Sequence, residues 1–215
     1  MGRLAEEPRT EIGLNLELYG EYVVLRPLRV EDAELTLAWR HSDRAALLNR
    51  GAETVAAQAE WIASRPTTEL NFVIELRSGQ PVGMLSLVAI DEVNRRAEPA
   101  RFIIGDPDAV RGLPVAVESM KLLYQFAFDQ LKLNKIHGTV VDDNPLMLKW
   151  HKYLGMKEEG RLRQHYFLVG AFHDAIYVGM LEDEFRRTML PRMNALIAAT
   201  NGGQPAEQGG LHDHQ

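Results

Sequence analysis

The feature that most constrains this chain is the order of hydrophobic periods between residues 97 and 155. Ala97 to Ile104 reads as a β-run, followed by the turn Val110-Arg111-Gly112-Leu113-Pro114. From Val115 to Leu131 apolar residues recur at Met120, Leu122/Leu123, Phe126/Ala127 and Leu131, which is the stripe of an amphipathic helix. Lys135 to Val141 (KIHGTVV) is again a strand. Asn144 and Pro145 then open a second helix, since Asn is a good N-cap and Pro suits the first turn; Met147, Trp150 and Leu154 form its apolar face and Gly155 ends it.

The segments on either side complete the pattern. Tyr22 to Arg26 reads as a strand, and Asp32 to Trp39 and Thr54 to Ala63 as helices. Three β-rich runs follow, at 71–76, 82–90 and 97–104, separated by Gly79-Gln80 and by 91–96, so an antiparallel meander is predicted. Two further strands at about 163–169 and 175–181 flank Gly170, and a last helix covers 182 to about 198. A meander followed by strand, helix, strand, helix implies an α+β fold with one sheet of mixed direction. Residues 16–199 read as a single domain, with residues 1–15 and 200–215 as flexible ends that have little to bury. His212 and His214 in the tail read as solvated, and no metal site is expected.

Composition removes several classes of function. A net charge of -6 argues against binding nucleic acid through a basic surface, although Arg95, Arg96, Lys149 and Lys152 could form a local basic site for a phosphorylated ligand. There is no cysteine, so disulfides, thiolate metal sites and a cysteine nucleophile are all excluded. No apolar run is long enough to span a bilayer, and Met1 to Thr10 lacks the apolar stretch of a signal peptide; a cytoplasmic protein without a membrane partner is expected.

A strand, a glycine-containing turn and a helix N-terminus together can form an anion site, because unpaired amides and the helix dipole point at the ligand. Asn144-x-x-Met147-x-x-x-His151-x-x-x-Gly155-Met156 resembles the Asn-x-x-Ala-x-x-x-Tyr-x-x-x-Gly-Phe motif of the GNAT superfamily of N-acetyltransferases. Leu25-Arg26-Pro27-Leu28 with Glu31-Asp32-Ala33 is similar to the opening of the ribosomal-protein alanine acetyltransferase group. Several other segments look more like the acetyltransferases for nucleotide-linked 4-amino sugars of the pseudaminic-acid pathway type. They are Trp39-Arg40, Glu60-Trp61-Ile62, Ile90-Asp91 with Asn94, and Glu158-Glu159-Gly160-x-Leu162-Arg163-x-His165 with Gly170 and Asp174. The resemblance covers roughly residues 20 to 185.

The resemblance implies a mostly antiparallel GNAT sheet, flanked by helices and splayed between the strands at 97–104 and 135–141, with acetyl-CoA as co-substrate. Backbone groups around Phe102, Ile103 and Ile104 would pair with the pantetheine arm. The turn Arg111, Gly112, Leu113, Pro114, Val115, Ala116 would take the pyrophosphate, and Asn144 would sit beside the pantetheine. Two departures stand out: Pro114 removes an amide donor from the phosphate turn, and His151 stands where the family has tyrosine.

The roles that follow each compete with a plainer reading. His151 is either the donor that stabilises the departing thiolate, as neutral imidazole or as cation, or a surface histidine covering Trp150; Tyr153 and Tyr166 are the fallback donors. Glu98 is either a base acting through water or a solvated strand carboxylate, and Pro99 after it implies a bulge or an edge. Trp39, Arg40, His165 and Asp174 are candidates for contact with the acceptor, the last two also for holding the terminal strand pair, and His137 reads as packing. The expected function is transfer of acetyl from acetyl-CoA to a small-molecule amine, first of all an amino sugar. Alternatives are a protein N-terminus or a polyamine as acceptor, or a retired GNAT domain that only binds. A homodimer remains open.

Overall fold

The computed structural model describes residues 16–48 and 51–201. The expected flexible ends, 1–15 and 200–215, therefore lie outside the described residues, apart from Thr200 and Asn201 at the end of the last helix. Among the described residues eight strands occur: β1 (Leu18–Tyr19), β2 (Val23–Pro27), β3 (Leu70–Leu76), β4 (Pro81–Asp91), β5 (Arg96–Ile104), β6 (Lys135–Val141), β7 (Lys157–Leu168) and β8 (Ala171–Leu181). The α-helices are α1 (Ala33–Arg40), α2 (Val55–Ala63), α3 (Val115–Asp129), α4 (Pro145–Leu154) and α5 (Leu190–Asn201), the last entered through a short turn at Glu182–Glu184 and a π-helical stretch at Phe185–Met189. All strands join one sheet in the order β1-β2-β3-β4-β5-β6-β8-β7. Only the β5–β6 pairing is parallel. The expected α+β architecture with one mixed, mostly antiparallel sheet is the observed one.

Each face of the sheet carries its own core. On one face Leu25, Phe72, Ile74, Leu85 and Leu87 pack with Leu123, Tyr124 and Phe126 of α3 and with Phe185 and Met189. On the other, Val73, Met84 and Ile103 pack with Trp39 of α1 and Ala45. The alternation of Phe72, Val73 and Ile74 between these clusters is the period of two expected of a strand buried on both faces. Each fully buried Leu, Ile or Phe contributes roughly 1.5–3 kcal/mol relative to exposure.

Several sequence motifs turn out to be structural fasteners. Arg26 forks onto Asp32 at 2.7 and 2.8 Å and reaches Glu75 at 2.5 Å, which ties β2 to β3 and to the start of α1. Asp91 accepts from the amide and side chain of Asn94 and so closes the β4–β5 turn. Thr54 and Asn144 cap α2 and α4 through the amides of Ala57 and Met147, and Gly155 ends α4 in the left-handed region at φ 99°.

Two strands are longer than their hydrophobic pattern predicts. β7 begins at Lys157 rather than near 163, and β8 at Ala171 rather than 175. The first residues of β7, Lys-Glu-Glu-Gly-Arg, bury almost nothing; they are a strand because an edge strand needs only one hydrogen-bonded neighbour, which β8 supplies. β1, two residues long, leaves no pattern to read.

Candidate active site

β5 and β6 pair only at Arg96↔Lys135 and Ala97↔Ile136. Beyond those residues β5 continues to Ile104 and β6 to Val141 without meeting, because each now turns to another partner. β6 stays in register with β8 along its whole length, while β5 stays with β4 through two bulges. Ala89 at φ 50° marks the extra residue on β4, and Arg101 at φ 54° the one on β5. Pro99, which has no N–H to offer, lies where β5 has already lost its second neighbour.

A cavity of about 720 Å³ fills the gap and reaches both faces of the sheet. Met120, Leu123, Tyr124, Asn144, Met147 and His151 line it from α3 and α4. Arg40, Arg44 and Trp61 line it from the α1–α2 side, and Glu98, Phe102 and Thr139 from the parted strands. Such a passage can bring together two ligands that enter from opposite faces.

Glu98 is half-buried on β5 and faces Gly138 and Thr139 of β6 across the gap; a Cβ on Gly138 would lie 3.7 Å from its Cγ. Burial pushes the carboxyl above its usual range, while His165, the Thr139 amide that donates to it and Arg101 oppose that shift. A carboxylate held in this way is a plausible acceptor for a proton. His165 owes its position to a bulge in β7, where Leu162↔Ala175 is followed by Tyr166↔His173 and Gln164 lies at φ 50°. Asp174 makes that bulge: it accepts from the Gln164 amide at 2.8 Å and from Arg161 at 2.8 Å. Neither His165 nor Asp174 lines the cavity; Asp174 holds the bulged strand from which the charge of His165 acts on Glu98.

His151 lies on the cavity wall with its Nδ1 buried and without a hydrogen-bond partner among the described residues. Burial lowers its pKa from 6.5 to about 4. Of the two forms left open for a donor, this favours the neutral one near pH 7, because nothing beside the ring repays the cost of desolvating a charge. The unfolded chain would take up a proton near pH 6.5 that the fold refuses until about pH 4. Stability linked to His151 is therefore fully present above pH 6.5 and falls as the pH drops, by at most about 3 kcal/mol. Urea unfolding at pH 7 and pH 5 should show the native protein losing stability, and His151→Phe should flatten that slope; equal slopes would contradict a buried neutral ring.

The remaining expected residues divide. Asn144 caps α4 and lines the cavity at once, and Phe102 lines it too. Ile103 is buried against Met84 in the second core, and Ile104, paired with Gly83, gives its carbonyl to Arg44 at 3.1 Å. Trp39 is not at the cavity; its ring lies so close to Gly105 that a Cβ there would be 2.2 Å from Cδ1. Arg111 to Ala116 form the turn into α3 beyond the cavity wall. In that turn Arg111 and Leu113 spend their amides on Asp108 and Val110, and no side chain caps the helix, so the amides of Val115 and Ala116 point outward from its first turn. Arg111 pairs with Asp108 at 2.6 Å in solvent. Of the fallback donors, Tyr153 is exposed and Tyr166 is held by Thr139 at 2.5 Å. His137 stacks on Tyr177 but also lines the cavity, with an unpartnered Nδ1. Sequence reasoning missed Tyr124, Arg44 and Arg101 as parts of the wall; Tyr124 falls in the apolar stripe of α3, where a tyrosine reads as core.

The sheet parts at one parallel pair, and the cavity in the gap is lined from both of its faces. The model of the acetyltransferase (GNAT) domain matches residues 23–157, and the chain belongs to that family of acyl-CoA-dependent N-acetyltransferases. It is 30% identical over 118 residues to the spermidine N(1)-acetyltransferase of Escherichia coli K12, a match covering 55% of this chain and 61% of that protein. Among solved structures, a GCN5-related N-acetyltransferase from Brucella melitensis superposes with a TM-score of 0.72 over 88% of this chain and 90% of that one, at 24% identity. A spermidine N-acetyltransferase from Vibrio cholerae, in complex with CoA and spermine, superposes with a TM-score of 0.69 at 21% identity, over 78% of this chain and all of that one. Among the described residues no helix is long and apolar enough to cross a membrane.

Proposed function

We propose that the protein transfers acetyl from acetyl-CoA to the amine of a small molecule, by direct attack of the amine on the thioester. The observation that carries this reading is the parting of β5 and β6 after a single pair of ladder positions, with a cavity open to both faces. Acetyl-CoA enters on the α3–α4 face. Its pyrophosphate meets the free amides at the start of α3, where Pro114 leaves one donor fewer, and its pantetheine passes Asn144 and Phe102. The acceptor enters beside Arg40, Arg44 and Trp61, and Glu98 takes the proton of the attacking amine. His151 is a neutral hydrogen-bonding wall of the thioester site.

The acceptor side gathers three arginines, one of which, Arg101, is paired with Glu69 at 3.0 Å, in a chain whose net charge is -6. Arg40, Arg44 and Arg101 line it against Asp43 and Glu98, and burial together with the neighbouring Arg101 charge lowers the Arg40 pKa. Arg101 and Arg65 both lie over the Trp61 ring, at 5.0 and 4.4 Å from its centroid. Arginines in the lining can receive an acidic group, so the site suits an amine that also carries one, as a nucleotide-linked amino sugar does. A polyamine is the second reading, favoured by the similarity to spermidine acetyltransferases.

Calorimetry should show acetyl-CoA binding at micromolar to low millimolar concentration; no binding up to millimolar would sink the reading. In an acceptor panel, amines bearing a phosphate are expected to be acetylated with kcat/KM at least tenfold above spermidine. The reverse order would establish the polyamine reading.

A further inference from the structure

Tyr124 is the largest fully buried side chain among the described residues and is 1% exposed. Its hydroxyl has no hydrogen-bond partner among them. The two other buried side-chain atoms in that condition are Nδ1 of His137 and Nδ1 of His151, and all three residues line the same cavity. Unpaired buried polar atoms are uncommon in folded proteins, and each is costly when left dry. Their concentration around one cavity marks it as a place where a bound ligand completes the hydrogen bonding.

The environment of the phenol narrows its role. The ring is packed edge-on against Phe185, 6.3 Å between centroids, and stands in the apolar stripe of α3 beside Leu123 and Met120. Phenylalanine would fill the same space without an orphaned hydroxyl. Burial also pushes the phenol above its ordinary range, so it keeps its proton and acts as a donor rather than an acid. A thiolate leaving group, near pKa ~8.5, is too weak a base to take that proton even from an ordinary phenol near ~10.

We propose that Tyr124 is a further catalytic residue, donating a hydrogen bond from its hydroxyl to the thioester of the bound acyl-CoA as negative charge develops there. This rests on the acetyltransferase reading given above. The amine nitrogen bonds to the carbonyl carbon, the carbon–sulfur bond breaks with its electron pair on sulfur, and the amine proton passes to Glu98. CoA departs as a thiolate stabilised by the Tyr124 hydroxyl and takes a proton from water on release, while Glu98 returns its own to solvent. Tyr124 keeps its proton throughout, which is the arrangement expected of a preorganised donor in a dry site.

Tyr124→Phe tests this directly, because the variant removes one oxygen and nothing else. Release of free CoA thiol would be followed with a fixed acceptor amine, alongside calorimetry with acetyl-CoA and thermal unfolding. The expected result is a ten- to hundredfold fall in kcat, with acetyl-CoA affinity within about twofold and a melting temperature equal to or above the native one. A kcat within twofold of native would overturn the role of Tyr124 and leave the acetyltransferase reading standing. A native protein that neither binds acetyl-CoA nor releases thiol would overturn both.

Discussion

Replacing Glu118 by alanine should destabilise the fold by about 3–5 kcal/mol, since three largely buried amides each lose their acceptor at roughly 1–3 kcal/mol apiece. Glu118 lies in the first turn of α3 and is 1% exposed. Its carboxylate accepts from the amides of Glu21 and Tyr22 at 2.8 Å and of Val23 at 3.0 Å. Among the described residues no side chain of opposite sign is hydrogen-bonded to it; the three N–H groups and the positive end of the helix supply the compensation. The approach is so close that a Cβ on Gly20 would lie 2.6 Å from the carboxyl carbon. Alanine at 118 would strand three amides and open a void, while Gln, with one acceptor oxygen in place of two, should cost roughly half as much. At about 2–4 °C per kcal/mol for a chain of this size, the alanine variant should melt roughly 6–20 °C below the native protein in a calorimetric scan. A shift under about 2 °C would show that the β1–β2 turn holds without the carboxylate. On the proposed function the clamp also bears on chemistry, since it fixes the end of α3 that would meet the pyrophosphate.

Glu118 illustrates what could and could not be read in advance. The stripe of α3 was legible, yet a glutamate just after the glycine turn looks like an ordinary N-terminal helix residue, and its partners lie about 95 positions away in sequence. Local patterns carried the fold well: β6 runs from Lys135 to Val141 as its apolar run predicts, and Asn144, Pro145 and Gly155 bound α4. What stayed hidden depended on register and burial. The β7 bulge that carries His165 arises from pairing with β8, and Asp174 serves that bulge, the structural one of the two roles its motif left open. His151 reads as a titratable group, and only its surroundings make it neutral. Tyr124, a core tyrosine by pattern, lies on the cavity wall because β5 and β6 part above it.

Glu98→Gln should lower kcat/KM by about 10²–10⁴-fold near neutral pH, the usual range for losing a positioned general base and equivalent to roughly 3–5 kcal/mol. Gln keeps an oxygen for the Thr139 amide and nearly the same volume, so acetyl-CoA affinity and melting temperature should change little. The pH dependence separates the base from a mere wall. The native rate requires Glu98 ionised, and burial raises its pKa, so activity should fall on the acid side through a limb displaced upward from the ordinary carboxylate value. Below that limb native and variant converge, because a protonated Glu98 accepts no proton. On the alkaline side the acceptor amine loses its proton to solvent unaided, and the gap should narrow again. The ratio of native to variant activity is thus expected to form a maximum between the carboxyl pKa and that of the amine. A ratio that stays constant from pH 5 to pH 10 would show that Glu98 only shapes the cavity, and the amine proton would then leave through solvent.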